Sequence, residues 1–376
     1  MEFLNEQEEC TGCMACTAVC PRNCIEIQEN EMGFRYPIIN GEKCIHCRKC
    51  EKICPIKDRI RLEHTKSYAV FNVKNVQQVI CSSSGLFGEL SNQILMDGGV
   101  VYGAAMTSPY QVKHIRISNP EEIDKICNSK YVQSVIEKEM YLLISEDLKS
   151  KKVLFSGTPC QVAAVRRFVE TTSNLILVDV VCHGVPSPRV WRDYVKEVSN
   201  GKKPVAVSFR DKRNEECYGL CIKYENTEFY EKVVDNAYLQ GFIQNLYLRQ
   251  SCYACAFKGE NRVADITLGD LWNAEKINKS FVGRNNGSWV LTHSSIGEEL
   301  LTRMQGKFDI IEIEMDDAAK YNASYFESAE CHKKREAFIE NYNCTSVSQE
   351  IEMAIKENFV WQYVTKIKHF IKRIIL

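Results

Sequence analysis

The chain has 376 residues and a formal net charge of -1, with 45% hydrophobic and 26% charged residues. That length accommodates about two or three domains with a sizeable core, and the composition is that of ordinary globular proteins. A charge near zero gives no electrostatic reason to expect a nucleic-acid partner.

The cysteine content bears on the compartment. Nineteen cysteines would suggest disulfides in a short secreted protein, but the chain begins MEFLNEQEEC, without the basic and apolar regions of a signal peptide. We therefore expect a reducing, cytoplasmic compartment. No apolar run reaches the length that a membrane-spanning helix needs.

Two copies of the pattern C-x2-C-x2-C-x3-C-P follow each other within residues 1–60. In bacterial ferredoxins, three thiolates of one copy and the fourth thiolate of the other copy hold one 4Fe-4S cluster. One cluster is therefore predicted at Cys10, Cys13, Cys16 and Cys54. The other is predicted at Cys44, Cys47, Cys50 and Cys20. Zinc also binds four cysteines, but structural zinc sites usually consist of paired CxxC units, so the pattern favours iron-sulfur clusters.

Residues 1–60 are predicted to form a ferredoxin domain in which the clusters supply much of the folding free energy, because so short a segment builds only a small apolar core. The extra Cys24 is interpreted as a free buried thiol rather than a ligand. The polar residues 61–66 are interpreted as a linker.

After the linker, SYAVFNV predicts a strand, and CSSSG then leads into a helix with apolar residues at helical spacing. The serines predict a helix N-cap. The same amides would suit a phosphate or a flavin edge, so Ser82, Ser83, Ser84 and Gly85 are candidates for cofactor binding, with a plain cap as the alternative. Further on, GGVVYGAAM and VKHIRI predict two more strands. Lys130, in NSKYVQS, is either a cation for an anionic cofactor or a solvated surface lysine.

Residues from Lys152 predict a β-α-β unit, with KVLFSG and LILVDVV as strands and TPCQVAAVRRFVE as the helix between them. Such crossovers leave the strands parallel, so the loops after both strands meet at one edge of the sheet. Cys160 lies in the first loop and Cys182 in the second. Cys160 also lies at a helix N-terminus, where we expect a thiolate to be stabilised.

A further CxxC, formed by Cys252 and Cys255, precedes the predicted strand ADITLG and lacks two ligands. Cys160 and Cys182 are predicted to complete it as a third iron-sulfur site, and a zinc site or a redox dithiol are the alternatives. Cys217 and Cys221 compete as ligands, but they lie in a strand-like stretch that favours ordinary packing.

Residues 331–357 show helical spacing, and the following NFVWQYVTKIKHFIKRIIL is amphipathic and basic. Such a tail suits a peripheral membrane surface. The pattern favours the alternative, which is docking on its own domain or on a neighbouring subunit, including a second copy of the chain in a homo-oligomer.

Several motifs together resemble the coenzyme F(420) hydrogenase/dehydrogenase beta-subunit family. They are CSSSGLFGEL, NSKYVQS, SGTPCQVAAVRRF, VCHGVPSP, SFRDK and CYACAFKGENRVADITLGDLW. The resemblance extends from about Ser67 to about Trp272 and implies a domain that carries FAD and an iron-sulfur cluster. On this basis Ser82 to Gly85 and Lys130 match motifs expected near the flavin, while Cys160, Cys252 and Cys255 match those expected at the cluster. Cys182 comes from topology alone.

The predicted fold class is α/β: an α+β ferredoxin-like domain (1–60), a larger α/β flavin domain with a mixed, partly parallel sheet (67–330), and a helical tail (331–376). The leading hypothesis is an iron-sulfur flavoprotein oxidoreductase that passes electrons between the clusters, FAD and a small-molecule acceptor or redox partner protein. The alternative is a non-enzymatic subunit that delivers electrons to a partner enzyme. A zinc-bearing interaction module is a third interpretation. No motif specifies the substrate or a catalytic acid-base pair.

Overall fold

The computed structural model describes residues 8–57, 65–73, 81, 84–169, 172–213, 218–284, 286–342 and 346–356. The strands are β1 (Ile25–Glu29), β2 (Arg35–Ile39), β3 (Lys66–Asn72), β4 (Val100–Ser108), β5 (Gln111–Ile117), β6 (Val153–Gly157), β7 (Leu175–Val180), β8 (Ala206–Asp211), β9 (Gly219–Lys223), β10 (Glu228–Lys232), β11 (Ile266–Asp270), β12 (Ser288–Thr292) and β13 (Phe308–Glu312).

The helices are α1 (Ala15–Val19), α2 (Lys49–Lys52), α3 (Leu86–Met96), α4 (Ile123–Ile126), α5 (Lys138–Asp147), α6 (Pro159–Phe168), α7 (Pro188–Ser199), α8 (Ala237–Ile243), α9 (Ala274–Ile277), α10 (Ser295–Thr302), α11 (Met315–Ala319) and α12 (Arg335–Glu340). Residues 347–356 form a further helix.

The main sheet has the strand order β13-β3-β12-β11-β7-β6-β4-β5. Its central pairs β4-β6, β6-β7 and β7-β11 are parallel, whereas the outer pairs are antiparallel. Strands β6 and β7 are apolar and mostly buried, as expected for parallel strands covered on both faces. The predicted fold class, α/β with a mixed and partly parallel sheet, is therefore confirmed.

The predicted β-α-β unit is present as β6, α6 and β7, with the two strands parallel. Strand β11 runs parallel to β7, and Asp270 at its end pairs with Ser288 at the start of the antiparallel β12. Ser288 in turn pairs with Val70 near the end of β3. The ends of β3, β6, β7 and β11 and the start of β12 therefore share one side of the sheet, which we call the carboxyl edge.

The N-terminal segment packs into the core of the larger part of the chain. Phe34 and Tyr36 are buried in one apolar cluster with Trp191 and Tyr238. The Tyr141 hydroxyl donates to the Cys13 carbonyl at 2.6 Å. Tertiary burial thus adds to whatever the clusters contribute to the folding of this segment.

Among the described residues, the C-terminal helical pattern forms two helices, α12 and residues 347–356, rather than a single helix. Residues 357–376, which carry the predicted amphipathic tail, lie outside the described residues. Within the described ranges, no helix is both long enough and apolar enough to cross a membrane.

Candidate functional site

Three cavities are each lined by four predicted cysteine ligands. The first is lined by Cys10, Cys13, Cys16 and Cys54. The second is lined by Cys20, Cys44, Cys47 and Cys50, together with the extra Cys24. These are the two crossed sets that the repeat predicts, three cysteines from one copy and one from the other. Their role as ligands stays a prediction.

The internal repeat extends to the backbone of the two loops. Gly12 and Met14 in the first copy have positive φ values of 71° and 62°. His46 and Arg48 occupy the matching positions of the second copy, with φ values of 53° and 59°. Alternation of left-handed and ordinary conformations turns successive amides toward one concavity, a geometry that binds anions. Three of the four residues are not glycine, and a left-handed backbone conformation has a steric cost for such residues. Contacts in the surrounding structure must therefore offset that cost.

Backbone amides also donate to the sulfur atoms. The N–H groups of Cys24, His46 and Val185 approach the Sγ atoms of Cys20, Cys44 and Cys252 at 3.4, 3.5 and 3.4 Å. At Cys20, desolvation acts to raise the pKa, but N–H donors from Cys24 and its neighbours outweigh it and lower the pKa. Hydrogen bonds to sulfur are one of the levers that set a cluster's reduction potential.

Cys24 itself is buried and its Sγ lies 3.4 Å from that of Cys20. Desolvation, followed by the neighbouring Cys20, raises the pKa of Cys24 to about 12. This environment favours a neutral thiol in the protein alone. The interpretation of Cys24 as a non-ligand beside the second cavity stays a prediction.

The third cavity is lined by Cys160, Cys182, Cys252 and Cys255 at the carboxyl edge. Cys160 follows β6, Cys182 follows β7, and the CxxC approaches from the segment before β11. The structure therefore brings together the four cysteines predicted for a third site, with Cys182 placed there as the topology predicts. Thr11 lines both the first and the third cavity, so these two cavities are neighbours.

Burial raises the pKa of several of the other cysteines. It raises the pKa of Cys13 and of Cys252 to about 12, and raises the pKa of Cys160 well above its ordinary value. At Cys160, desolvation outweighs the hydrogen bond with Thr158, which acts to lower the pKa. Stabilisation of a Cys160 thiolate by the helix N-terminus stays a prediction. Thiolates at such positions require a bound cation, which deprotonates a coordinating thiol.

The described parts of the chain contain no three His, Cys, Asp or Glu side chains that converge closely enough to hold a single metal ion. Cys221 is buried in β9 and lines none of the three cavities, as ordinary packing predicts. Its competitor Cys217 lies outside the described residues.

Arg249 is a buried cation between the first and third cavities that sequence reasoning missed. Its side chain is 1% exposed and donates to the carbonyls of Cys10 and Arg35 and to the Gln133 amide oxygen, at 2.6, 3.0 and 3.1 Å. None of these acceptors is a carboxylate. A buried charge needs compensation, and two anionic clusters beside it would supply that compensation. The available signal in the sequence was a single arginine among mostly apolar residues.

Two further cations line the third cavity. Lys258 donates to the carbonyls of Cys182 and Ser324 at 2.8 and 2.7 Å. Arg262 is 1% exposed and pairs with the buried Asp179 at 3.0 Å, while its Nε and Nη2 atoms find no hydrogen-bond partner among the described residues. The third cavity therefore lies in a positively charged environment that suits an anionic occupant.

The predicted serine cap of α3 is wrong for the described residues. Gly85 is the N-cap residue, with φ 82°, and no side chain caps the helix. Ser84 instead is buried and its Oγ lies 2.6 Å from that of Ser288 at the start of β12, which ties the loop to the carboxyl edge. Ser82 and Ser83 lie outside the described residues.

Lys130 is not a solvated surface lysine. Its ammonium donates to the backbone carbonyls of Cys127 and Asn128, and desolvation lowers its pKa to about 7. Cys127 is joined to Cys81, with 4.8 Å between the Cα atoms. The two segments predicted to contact the flavin therefore meet at this pair of cysteines.

Basic and aromatic side chains that sequence reasoning did not assign lie at the same edge. Arg210 pairs with Asp270 at 2.8 Å and lies 5.9 Å from the centre of the half-exposed Trp272 ring. Its Nε is buried without a partner among the described residues. Lys212 donates to Asn286, two residues before Ser288, at 2.7 Å. Both residues belong to the SFRDK motif, but residue spacing alone did not indicate a function for that motif.

Two family models match separate parts of the chain. Residues 9–57 match the 4Fe-4S dicluster domain, and residues 150–318 match the family described as the C terminus of the coenzyme F420 hydrogenase/dehydrogenase beta subunit. The predicted resemblance is thus confirmed: a 4Fe-4S dicluster domain precedes a region of the coenzyme F420 hydrogenase/dehydrogenase beta-subunit family. The chain is an iron-sulfur electron-transfer protein related to these oxidoreductases.

Individual relatives are distant. One subunit of the F(420)H(2) dehydrogenase of Methanosarcina mazei is 19% identical over 328 residues, covering 82% of this chain and 85% of the relative. An uncharacterized polyferredoxin-like protein of Methanocaldococcus jannaschii is 38% identical over 58 residues, covering 13% of this chain and 34% of that protein. A chain of the F420-reducing [NiFe] hydrogenase complex from Methanosarcina barkeri aligns with a TM-score of 0.46 and 16% identity, covering 70% of this chain and 90% of that one.

The lowered pKa of Lys130 predicts a specific pH dependence. Because the folded protein releases the proton near pH 7 and the unfolded chain near 10.5, the unfolded state binds more protons between these values, and Lys130 makes stability rise with pH there. We expect Lys130→Met to reduce that rise by at most about 1.4 kcal/mol per pH unit. Anaerobic urea unfolding from about pH 7 to pH 9.5 measures the slope.

Lys125→Met is the matched control, because the exposed Lys125 pairs with Glu122 and its pKa is raised rather than lowered. It should leave the slope unchanged. A slope that Lys130→Met does not alter would contradict the assignment of a desolvated ammonium.

Proposed function

We propose that the chain is a flavin-dependent iron-sulfur oxidoreductase that passes electrons between three 4Fe-4S clusters and FAD, and thereby reduces or oxidises a substrate. One observation carries the proposal: three sets of four cysteines, each drawn from separate parts of the sequence, line one cavity each. A four-iron cube takes one thiolate at each of four corners, and every cavity offers that number.

The donor set of each cavity supports clusters rather than isolated thiols. Soft thiolates select iron-sulfur clusters or zinc. Left-handed loop residues adjoin the first two cavities, and amide-to-sulfur hydrogen bonds supply further donors for an anion at the second. The buried cations Arg249 and Arg262 flank the third cavity. Twelve thiolates also require a reducing environment, so we place the protein in the cytoplasm.

The cavities suggest an order for electron transfer. Cys47 of the second set is exposed, and Arg22, Arg48 and Lys49 line its cavity beside Ile45, which is 58% exposed. This surface fits a redox partner protein with an acidic face. The first cavity adjoins the third through Thr11, and the third lies at the carboxyl edge with the candidate flavin residues. We infer the order second, first, third, flavin.

The described residues fit a flavin dinucleotide at the carboxyl edge. Arg210 and Lys212 offer cationic groups for its phosphates, and the orphaned Nε of Arg210 is a buried donor. Ser84 and Gly85 bring the start of α3 to the same edge, and Lys130 approaches from the neighbouring segment. When bound, flavin supplies the exchange between one-electron and two-electron steps.

The second candidate is an electron-transfer subunit whose substrate site belongs to a partner enzyme. The name of the Methanosarcina mazei relative, which describes one component of a dehydrogenase, favours it. Both candidates require the clusters. They differ in whether the isolated chain, once reduced, transfers electrons to small-molecule acceptors or only to a protein partner.

Cofactor analysis of anaerobically purified protein tests the proposal. We expect about twelve irons with matching sulfide, four for each cluster, and about one FAD per chain. Cys252→Ser should remove about four irons and leave the two N-terminal clusters intact. Cys221→Ser is the control, since this buried cysteine lines none of the three cavities. Eight irons with zinc and no flavin would contradict the proposal, and unchanged iron in Cys252→Ser would reject the third cluster.

The position of Arg249 predicts a change of potential. Removal of its charge disfavours the more negative, reduced form of a nearby cluster. We expect Arg249→Gln to lower the potentials of the first and third clusters by on the order of 1 kcal/mol, or about 40 mV for one electron. Redox titration followed by electron paramagnetic resonance measures this effect.

Two variants control the Arg249 experiment. Arg249→Lys keeps the charge and should recover most of the potential. Arg48→Gln removes an exposed charge beside the second cavity, where solvent screens the effect. Equal shifts in all three clusters, or none in Arg249→Gln, would refute the placement of Arg249 between the first and third.

A further inference from the structure

We propose that Cys81 and Cys127 form a redox-active dithiol/disulfide pair beside the candidate flavin residues. This pair stores two electrons and two protons supplied by reduced flavin. The inference rests on the proposed function for its electron donor, but the pair itself is observed independently of any cofactor. Neither cysteine belongs to the three cavities.

The two cysteines are positioned for a reversible bond. Their Cα atoms lie 4.8 Å apart, within the range that disulfides span, and their sulfur atoms are joined. Both are buried, Cys81 at 7% and Cys127 at 2% exposure. They come from segments separated by 46 positions, so the packing of α3 against α4, rather than local sequence, brings them together.

A glycine in the middle of α3 makes room for the pair. A Cβ atom at Gly88 would lie 2.7 Å from the Cys81 Sγ and 3.7 Å from the Cys127 Sγ. Glycine is unfavourable inside a helix, so its presence here has a local reason. Because Gly88 has no side chain, α3 leaves space for the two sulfur atoms.

The pair lies between the two segments that carry the candidate flavin residues. Cys81 lies three positions before Ser84 in the sequence. The Cys127 carbonyl accepts a hydrogen bond from the Lys130 ammonium. Along the same segment, Gln133 donates to the Thr11 carbonyl at 3.0 Å, beside the first and third cavities. The cysteines are therefore close in the chain both to the flavin candidates and to the iron-sulfur region.

The redox setting argues against a purely structural disulfide. Conditions that keep the cysteines of three cavities available as thiolates also reduce ordinary disulfides, so a disulfide in such a protein is typically transient, catalytic or redox-sensing. The proposed step balances: reduced flavin gives up two electrons and two protons, the bond between the sulfur atoms breaks, and each sulfur becomes a thiol. Oxidation of the dithiol returns the same electrons and protons.

Differential alkylation with peptide mass spectrometry tests the pair in the full-length holoprotein. Free thiols are blocked under denaturing conditions in samples that were anaerobically oxidised or fully reduced with dithionite. We expect peptides linked through Cys81 and Cys127 in the oxidised sample, free thiols in the reduced one, and return of the link on reoxidation. Thiols in both states, or a link that persists when all other centres are reduced, would overturn the proposal.

Variants give a second readout. In an anaerobic reductive titration, Cys127→Ser should accept two fewer electrons per chain than the unsubstituted protein, whereas the exposed Cys331→Ser should accept the same number. Gly88→Ala keeps both cysteines but obstructs Cys81, so the linked fraction should fall. An unchanged electron count in Cys127→Ser would refute a redox role.

The same samples separate this proposal from the proposed function. If the purified chain contains no flavin, the proposed oxidoreductase function fails. The state of Cys81 and Cys127 is still measured by mass spectrometry, and we expect the two residues to be linked before dithionite and to be free thiols after it. A flavin-containing protein whose two cysteines never link would instead refute only the dithiol.

Discussion

Partial removal from water of the cysteines that we propose as ligands is the physical constraint on which the rest of this structure depends. Thiols removed from water resist ionisation, as the raised pKa values of Cys13 and Cys252 show. A buried site of four thiolates is stable only when cations and hydrogen-bond donors offset its charge. The left-handed loop residues, the amides directed at sulfur and the buried Arg249 all provide such compensation.

The same constraint explains why the N-terminal segment is inseparable from the larger part of the chain. Arg249, which lies just before the CxxC in the sequence, donates a hydrogen bond to the Cys10 carbonyl. Gln133 donates to the Thr11 carbonyl. Gly12 is needed at this contact because a Cβ atom would lie 2.7 Å from the Arg249 side chain. The contacts that stabilise the first cavity are therefore also the contacts that place it beside the third.

Local spacing and topology made much of this arrangement predictable. The repeat indicated which cysteines share each N-terminal cavity, and the β-α-β unit indicated that Cys160 and Cys182 meet at one edge. Other features depend on contacts between residues far apart in sequence. Neither the buried Arg249 nor the pairing of Cys81 with Cys127 follows from periodicity, and Ser84 bonds to Ser288 rather than capping its helix. The raised pKa of Cys160 likewise depends on desolvation, which requires knowledge of tertiary burial.

The central claim is that three clusters lie in one chain, with the first next to the third. Spin quantification by electron paramagnetic resonance on the fully reduced, anaerobically purified protein tests it most directly. The account predicts about three cluster spins per chain, with magnetic broadening between two of them that disappears when the third cluster is removed. About two spins per chain, without a coupled third centre, would contradict it.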